Sequence, residues 1–198
     1  PAPNTFSGYR MKFSNLNEER FLKLIKIWFK STENLPKEAF SAFVLNGNFL
    51  TILFTNYQTN QTDFEKQFSD LIPFANDYRP MKNRNLAVAL KNYYGVKEPI
   101  YFKNASAGLY KGIEDIEKGL STIFSKVMAA KGTIYQINTL GGKINEIANS
   151  DSAYPHRDIN YLSELQAYWD SPSQEEKLAK SFEEIQQAEL FYWDNKSD

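Results

Sequence analysis

The densest constellation of functional side chains in this sequence runs from Leu140 to Asp158. It opens on Gly141-Gly142 and closes on the string Ala153-Tyr154-Pro155-His156-Arg157-Asp158. Adjacent glycines permit an unusual turn or a close approach to the backbone, and Pro155 stiffens the path into an exposed His156-Arg157 pair. On residue types alone, that pair reads more simply as a hydrogen-bonded element of the surface than as a reactive centre. A second group follows on the segment Ile159 to Trp169, which reads as a strand and carries Tyr161, Ser163, Glu164 and Gln166. Alternate residues of a strand face opposite ways, so Glu164 with Gln166, or Tyr161 with Ser163, can point into one site, but not both sets. Glu164 is the favoured member.

Other chemistries are excluded by composition. The chain has no cysteine and one histidine, His156. A disulfide framework, a thiolate nucleophile, a Cys-based zinc site and a His-rich metal centre therefore fall away, and no metal site is expected. There is no Gly-rich phosphate loop and no Gly-x-Ser-x-Gly elbow. Lys and Arg total 23 against 24 Asp and Glu. With a pI near 6.0 the bulk charge offers no field for nucleic acid or an anionic membrane, and neither is expected as a partner. No apolar run approaches the roughly 20 residues that span a bilayer, and no signal-peptide pattern is visible, so a soluble chain is expected. The compartment is not legible. Pro1-Ala2-Pro3-Asn4-Thr5 without an initiator methionine reads as a cut or processed end, so the chain is expected to be a fragment.

The elements that must position these residues fit into one domain, residues 1–198. A length of 198 residues with 42% hydrophobic and 15% aromatic content supports one sizeable core. Glu18 to Ser31 places Phe21, Leu24, Ile25, Trp28 and Phe29 at helical spacing behind an Asn17 cap. Trp28 and Phe29, like Phe64 and Phe68, read as core at that spacing. Ala39 to Leu45 and Phe49 to Asn56 read as strands joined by the turn chemistry of Asn46-Gly47-Asn48. Thr62 and Glu65 form a capping box for a helix with Phe64, Phe68 and Leu71 inward, and a short helical stretch lies near Asn85 to Tyr94. Ile100 to Asn104 reads as a strand and Gly112 to Ala130 as the longest helix, closed by a left-handed cap at Gly132. Thr133 to Thr139 is a strand with Tyr135 and Ile137 on one face and Gln136 and Asn138 on the other. Gly141-Gly142 break it before Lys143 to Ile147. Ser171-Pro172-Ser173-Gln174 caps a last helix that buries Leu178, Phe182 and Ile185.

This order predicts an α+β fold: a largely antiparallel sheet with helices packed on one face and the other face open. Thr51, Gln136, Asn138, Glu164 and Gln166 make that second face polar, so it meets water, a ligand or another domain. Exposed apolar groups there would allow self-association.

The stretch from Gly141 to Trp169 resembles the C-terminal part of the berberine-bridge-enzyme-like family of FAD-linked oxidoreductases, where a strand, a Gly-Gly pair and a Phe/Tyr-Pro-His-Arg string recur at this spacing. Tyr101-Phe-Lys-Asn-Ala-Ser106 is similar to the family's Tyr/Trp-Lys-Ser segment, and Tyr168-Trp169 falls where a family strand ends. Pro3-x-Thr5-Phe6 followed by Tyr9-Arg-Met-Lys-Phe13 is similar to the join that leaves the flavin domain. The resemblance implies a substrate-binding domain whose sheet roofs the flavin ring, with FAD held mainly by a separate FAD-binding domain of the same polypeptide and a small molecule as substrate. It implies catalytic roles for Glu164 and Tyr161, substrate contacts from Gln136, Asn138 and Gln166, and a place near the cofactor for Gly141, Gly142, His156 and Arg157.

Three departures qualify the resemblance. Asn138 stands where some members carry an aromatic substrate contact, and both the FAD-binding domain and the family's closing motifs are absent from this chain. FAD is therefore expected to bind weakly or not at all here, and the chain alone to lack turnover. The alternative is a stand-alone α+β domain that binds a ligand or protein and has lost flavin chemistry. Asn60-Gln-Thr62, Asn104-Ala-Ser106 and Asn195-Lys-Ser197 match a glycosylation pattern that arises readily by chance in so Asn-rich a chain.

Overall fold

The computed structural model describes residues 5–57, 65–90 and 98–194. Within them the strands are β1 (Thr5–Phe13), β2 (Ala39–Asn46), β3 (Phe49–Asn56), β4 (Asp77–Asn85), β5 (Tyr101–Tyr110), β6 (Thr133–Thr139) and β7 (Tyr161–Trp169). They form one sheet in the order β4-β1-β3-β2-β6-β7-β5. Every neighbouring pair is antiparallel. The helices are α1 (Glu18–Thr32), α2 (Leu86–Leu90), α3 (Leu120–Ala129) and α4 (Glu175–Asp194).

The two sides of the sheet differ as period-2 patterning requires. Tyr135 and Ile137 of β6, Leu165 and Ala167 of β7, Phe43 and Leu45 of β2, and Leu50, Ile52 and Phe54 of β3 are all fully buried. They share one core with Phe21, Leu24, Ile25 and Trp28 of α1, Leu120, Ile123 and Val127 of α3, and Leu178, Phe182 and Ile185 of α4. The alternate positions of β6 and β7, on the side away from the helices, are half-buried except for the buried Asn138. The α+β architecture with helices behind one face is therefore the observed one.

Local chemistry accounts for most element boundaries. Asn17 caps α1 by accepting the Arg20 amide at 2.8 Å. Gly47 adopts φ +55 in the tight turn that pairs Asn46 with Phe49. Phe68 and Leu71 are buried as expected, while Thr62 and Phe64 lie outside the described residues. Of the helical stretch near Asn85 to Tyr94, α2 covers Leu86–Leu90, and residues 91–97 are outside the description.

Two expectations need correction, and one strand goes unanticipated. Gly112 to Ala130 is not the longest helix: it is two 3-10 turns, Ile113–Asp115 and Glu117–Gly119, followed by the ten-residue α3. The Asp115 carboxylate accepts the Lys111 amide at 2.7 Å, a local bond that competes with helix, and Gly119 adds the helix cost of glycine. The 20-residue α4 is longer. It begins through a 3-10 turn at Pro172–Gln174, and Ser171 makes no side-chain capping bond; Gln174 accepts the Asp170 amide at 3.3 Å instead. Finally, β4 escapes sequence reading because Asp77-Tyr-Arg-Pro-Met-Lys-Asn-Arg-Asn85 lacks alternation and contains Pro80. An edge strand tolerates both, and β4 is the edge, with Tyr78 stacked on Tyr9 at 5.4 Å.

Candidate functional site

The face without helices carries a continuous line of polar side chains across β6 and β7. Antiparallel register sets Gln136 opposite Glu164, Ile134 opposite Gln166 and Asn138 opposite Leu162. Gln136 donates through Nε2 to Asn138 Oδ1 at 2.8 Å, and Asn138 donates through Nδ2 to Glu164 Oε1 at 3.1 Å. From the other side, Tyr168 Oη donates to Gln166 Oε1 at 2.8 Å, and Gln166 Nε2 donates to Glu164 Oε2 at 2.9 Å. Both carboxylate oxygens of Glu164 are thus engaged by neutral amides. Beyond the line, Phe102 of β5 stacks on Tyr168 with ring centroids 6.2 Å apart. Phe102 is 64% exposed, so this end of the face offers an accessible aromatic ring. The arrangement can accept a proton at Glu164 and present amide donors and acceptors to a small polar molecule.

Four of the residues singled out from the sequence, Gln136, Asn138, Glu164 and Gln166, are therefore brought together. Tyr168 belongs to the same line, and sequence reasoning passes over it as a site residue. Its position is legible in principle, because Leu162, Glu164, Gln166 and Tyr168 must share a face at period 2.

Tyr161 is corrected. It lies on the helix side, 3% exposed, with its hydroxyl 3.0 Å from Thr32 Oγ1 and its ring 4.6 Å from that of Phe29. Burial raises its phenol above the ordinary value, so at neutral pH it is an uncharged core group rather than a base on the open face.

The Gly141-Gly142 and His156-Arg157 segment lies at the end of the sheet, where β6 leaves it. Gly142 has φ +61, and a Cβ there would stand 2.7 Å from the Lys37 carbonyl oxygen. Both the conformation and the close approach call for glycine. Gly142→Ala is expected to lower the unfolding free energy by about 1–3 kcal/mol. The readout is a lower urea midpoint at unchanged slope. The loop that follows is tied to Lys37 through an ion pair with Glu146. Arg157 staples it further: its guanidinium donates to the Ile144 carbonyl at 3.3 Å and to the Ser152 hydroxyl, and lies 5.0 Å from the Tyr154 ring centre. His156 is exposed and meets Tyr154 edge-on at 5.4 Å. Next to this loop Lys111 pairs with Asp158 at 3.1 Å, and that lysine holds the Asp158 carboxyl below the usual range. The contacts of Arg157 are those of a loop staple.

Two cavities open at this same end of the sheet, and neither is lined by Glu164. One of about 170 Å³ lies between Thr32, Pro36, Thr139, Gly142 and Asn145. The other, about 290 Å³, is walled by Lys26, Lys30, Glu33, Lys111 and Glu114 over Phe29 and Tyr161. Its charges are mixed in sign, and Lys26 and Lys111 already pair with Glu117 and Asp158. Among the described residues no group of three His, Asp or Glu side chains is placed to hold a metal ion, and no helix is long and apolar enough to cross a membrane.

No family model and no curated protein matches the sequence. Solved structures do match it. The wild-type BBE-like 1 protein of Physcomitrella patens superposes with a TM-score of 0.79 at 13% identity, covering 96% of this chain and 44% of that one. Aclacinomycin oxidoreductase gives 0.77 at 18% identity, covering 96% and 42%. Berberine bridge enzyme from Eschscholzia californica gives 0.69 at 15% identity, covering 93% and 40%. The chain spans less than half the length of each of these proteins. The likeness is one of fold: seven antiparallel strands backed by helices reproduce a part of berberine bridge enzyme-like proteins and of aclacinomycin oxidoreductase.

Proposed function

We propose that this chain is the substrate-binding portion of a berberine-bridge-enzyme-like, FAD-linked oxidoreductase, and that Glu164 accepts the proton released when an alcohol, sugar or amine-type substrate is oxidised. The observation that carries the reading is the carboxylate of Glu164 at the middle of the polar line that β6 and β7 present on the open sheet face, in a fold shared with parts of larger oxidoreductases.

The residues present fit the ring side of such a cofactor rather than its phosphates. The open face offers neutral amides, one carboxylate and the Phe102–Tyr168 stack. The Gly141-Gly142 turn is a poor phosphate cradle, because the Lys37 carbonyl already fills the space beside Gly142. When bound, FAD supplies the hydride acceptor. The chain's own contribution is to orient the substrate carbon against that acceptor and to hold a base within reach of the departing hydroxyl or amine proton.

The test is anaerobic bleaching of flavin absorbance in the full-length, FAD-loaded polypeptide, with D-glucose, benzyl alcohol and benzylamine as representative donors. Bleaching by at least one is the expected result; silence towards all three would overturn the reading. A companion measurement is the flavin content of the 198-residue chain purified alone. It is expected to be colourless, with far less than one flavin per chain, and near-stoichiometric FAD would contradict the division of labour proposed here.

A further inference from the structure

The hydrogen bonds that cross β6 and β7 on the open face run towards one acceptor. An ionised carboxylate offers only lone pairs, so Asn138 and Gln166 must turn their NH₂ groups to Glu164, at 3.1 and 2.9 Å. Doing so turns their carbonyl oxygens away, and each of those oxygens meets a donor of its own. Gln136 Nε2 stands 2.8 Å from Asn138 Oδ1, and Tyr168 Oη stands 2.8 Å from Gln166 Oε1. Neither amide can flip without giving up both of its bonds. Tyr168 is in turn held by its stack on Phe102.

We infer that Asn138 and Gln166 are positioning residues that clamp the two oxygens of Glu164, and that Gln136 and Tyr168 fix which way the clamping amides face. This assigns Tyr168 a role and gives Asn138 and Gln166 a different one from direct substrate contact. The inference rests on the reading of Glu164 as proton acceptor, because a clamp matters to the reaction only if the clamped group takes part in it. Its physical benefit is preorganisation. A glutamate on an open sheet face otherwise samples many rotamers, and holding both oxygens removes that freedom before substrate arrives. A purely structural cross-strand ladder would add to sheet stability without this consequence.

The clamp is testable without substrate. In the ¹⁵N-labelled 198-residue chain, the side-chain amide protons of Gln166 and Asn138 are expected to exchange with water at least several-fold more slowly than those of exposed glutamines. Tyr168→Phe is expected to speed exchange at Gln166 and leave Asn138 unchanged, whereas Glu164→Leu speeds both. Free exchange at Gln166 in the unaltered chain, or no response to Tyr168→Phe, would overturn the clamp. The kinetic arm uses the full-length, FAD-loaded protein with whichever of D-glucose, benzyl alcohol and benzylamine bleaches the flavin. Tyr168→Phe is expected to lower the limiting rate of flavin reduction about tenfold with KM held within about twofold, and to add little when combined with Glu164→Gln. An unchanged limiting rate, or an effect on KM alone, would overturn the positioning role. If Glu164→Gln leaves the rate intact, the base assignment fails and the positioning role fails with it. If Glu164→Gln is crippling and Tyr168→Phe silent, only the positioning inference falls.

Discussion

Replacing Glu164 by Gln is expected to slow flavin reduction by roughly 100- to 10,000-fold in the full-length, FAD-loaded protein, the usual range for removing a positioned general base. The substitution keeps the shape of the side chain and removes its ability to take a proton. It also reverses part of the hydrogen-bond line. A glutamine at this position must aim its own NH₂ at either Asn138 or Gln166, each of which already presents an NH₂ group. One neighbouring amide must then turn, losing the bond from Gln136 or from Tyr168. Stopped-flow absorbance at the flavin band reads the effect directly. Tyr161→Phe is the matched control. Its hydroxyl faces Thr32 beneath α1, so the expected change in rate is within about twofold. The expected cost lies instead in stability, about 0.5–1.5 kcal/mol for one buried hydrogen bond. A large rate loss in Tyr161→Phe with Glu164→Gln unaffected would exchange the roles of the two residues and overturn the site described above.

How far such a site can be read from sequence depends on what kind of signal each residue leaves. The alternation along β7 is strict, and by itself it separates Glu164 and Gln166 from Tyr161 and Ser163. What alternation cannot give is the choice between faces, since either set of a strand can be the buried one. Contacts distant in sequence make that choice: Trp28, Phe29 and Thr32 of α1 enclose Tyr161. The line of hydrogen bonds is equally invisible in the sequence, because it depends on the register that sets Gln136 against Glu164 across β6 and β7. Edges and glycine-interrupted segments leave the weakest signals. β4 gains its structure from pairing with β1, not from its own composition, and the stretch before α3 keeps apolar spacing while Gly119 and the Asp115 bond shorten the helix. The density of functional residue types between Leu140 and Asp158 draws attention to a loop whose arginine directs its hydrogen bonds to the loop itself. Residue type marks where chemistry is available. Register and face decide which groups meet.

On the opposite side of the sheet, Trp28→Ala is expected to be the most damaging single truncation in α1, lowering stability by about 3–5 kcal/mol. Trp28 is fully buried and touches the rings of Phe29, Phe43 and Tyr161 with centroids 5.1, 5.5 and 5.6 Å away. It therefore joins α1 to β2 and β7 at once, and no single neighbour can collapse into the space it leaves. The indole also carries a polar bond into the core: Nε1 donates to Ser41 Oγ at 2.9 Å, and that hydroxyl donates onward to the Leu53 carbonyl at 2.8 Å. Ser41→Ala leaves the indole N–H buried without that partner, at a cost of about 1–3 kcal/mol. Trp28→Phe removes the donor together with part of the volume, so the double variant Trp28→Phe with Ser41→Ala is expected to lose less than the sum of its parts. Urea unfolding of the 198-residue chain gives all four values, and additivity within about 0.3 kcal/mol would sever the indole from the serine in energetic terms. The coupling matters for the open face as well. β2 and β7 flank β6, so the helix that Trp28 anchors backs the same strands that carry Asn138 and Glu164 on their other side. A variant that loosens α1 is therefore expected to speed side-chain amide exchange at Asn138 and Gln166 even though it touches neither.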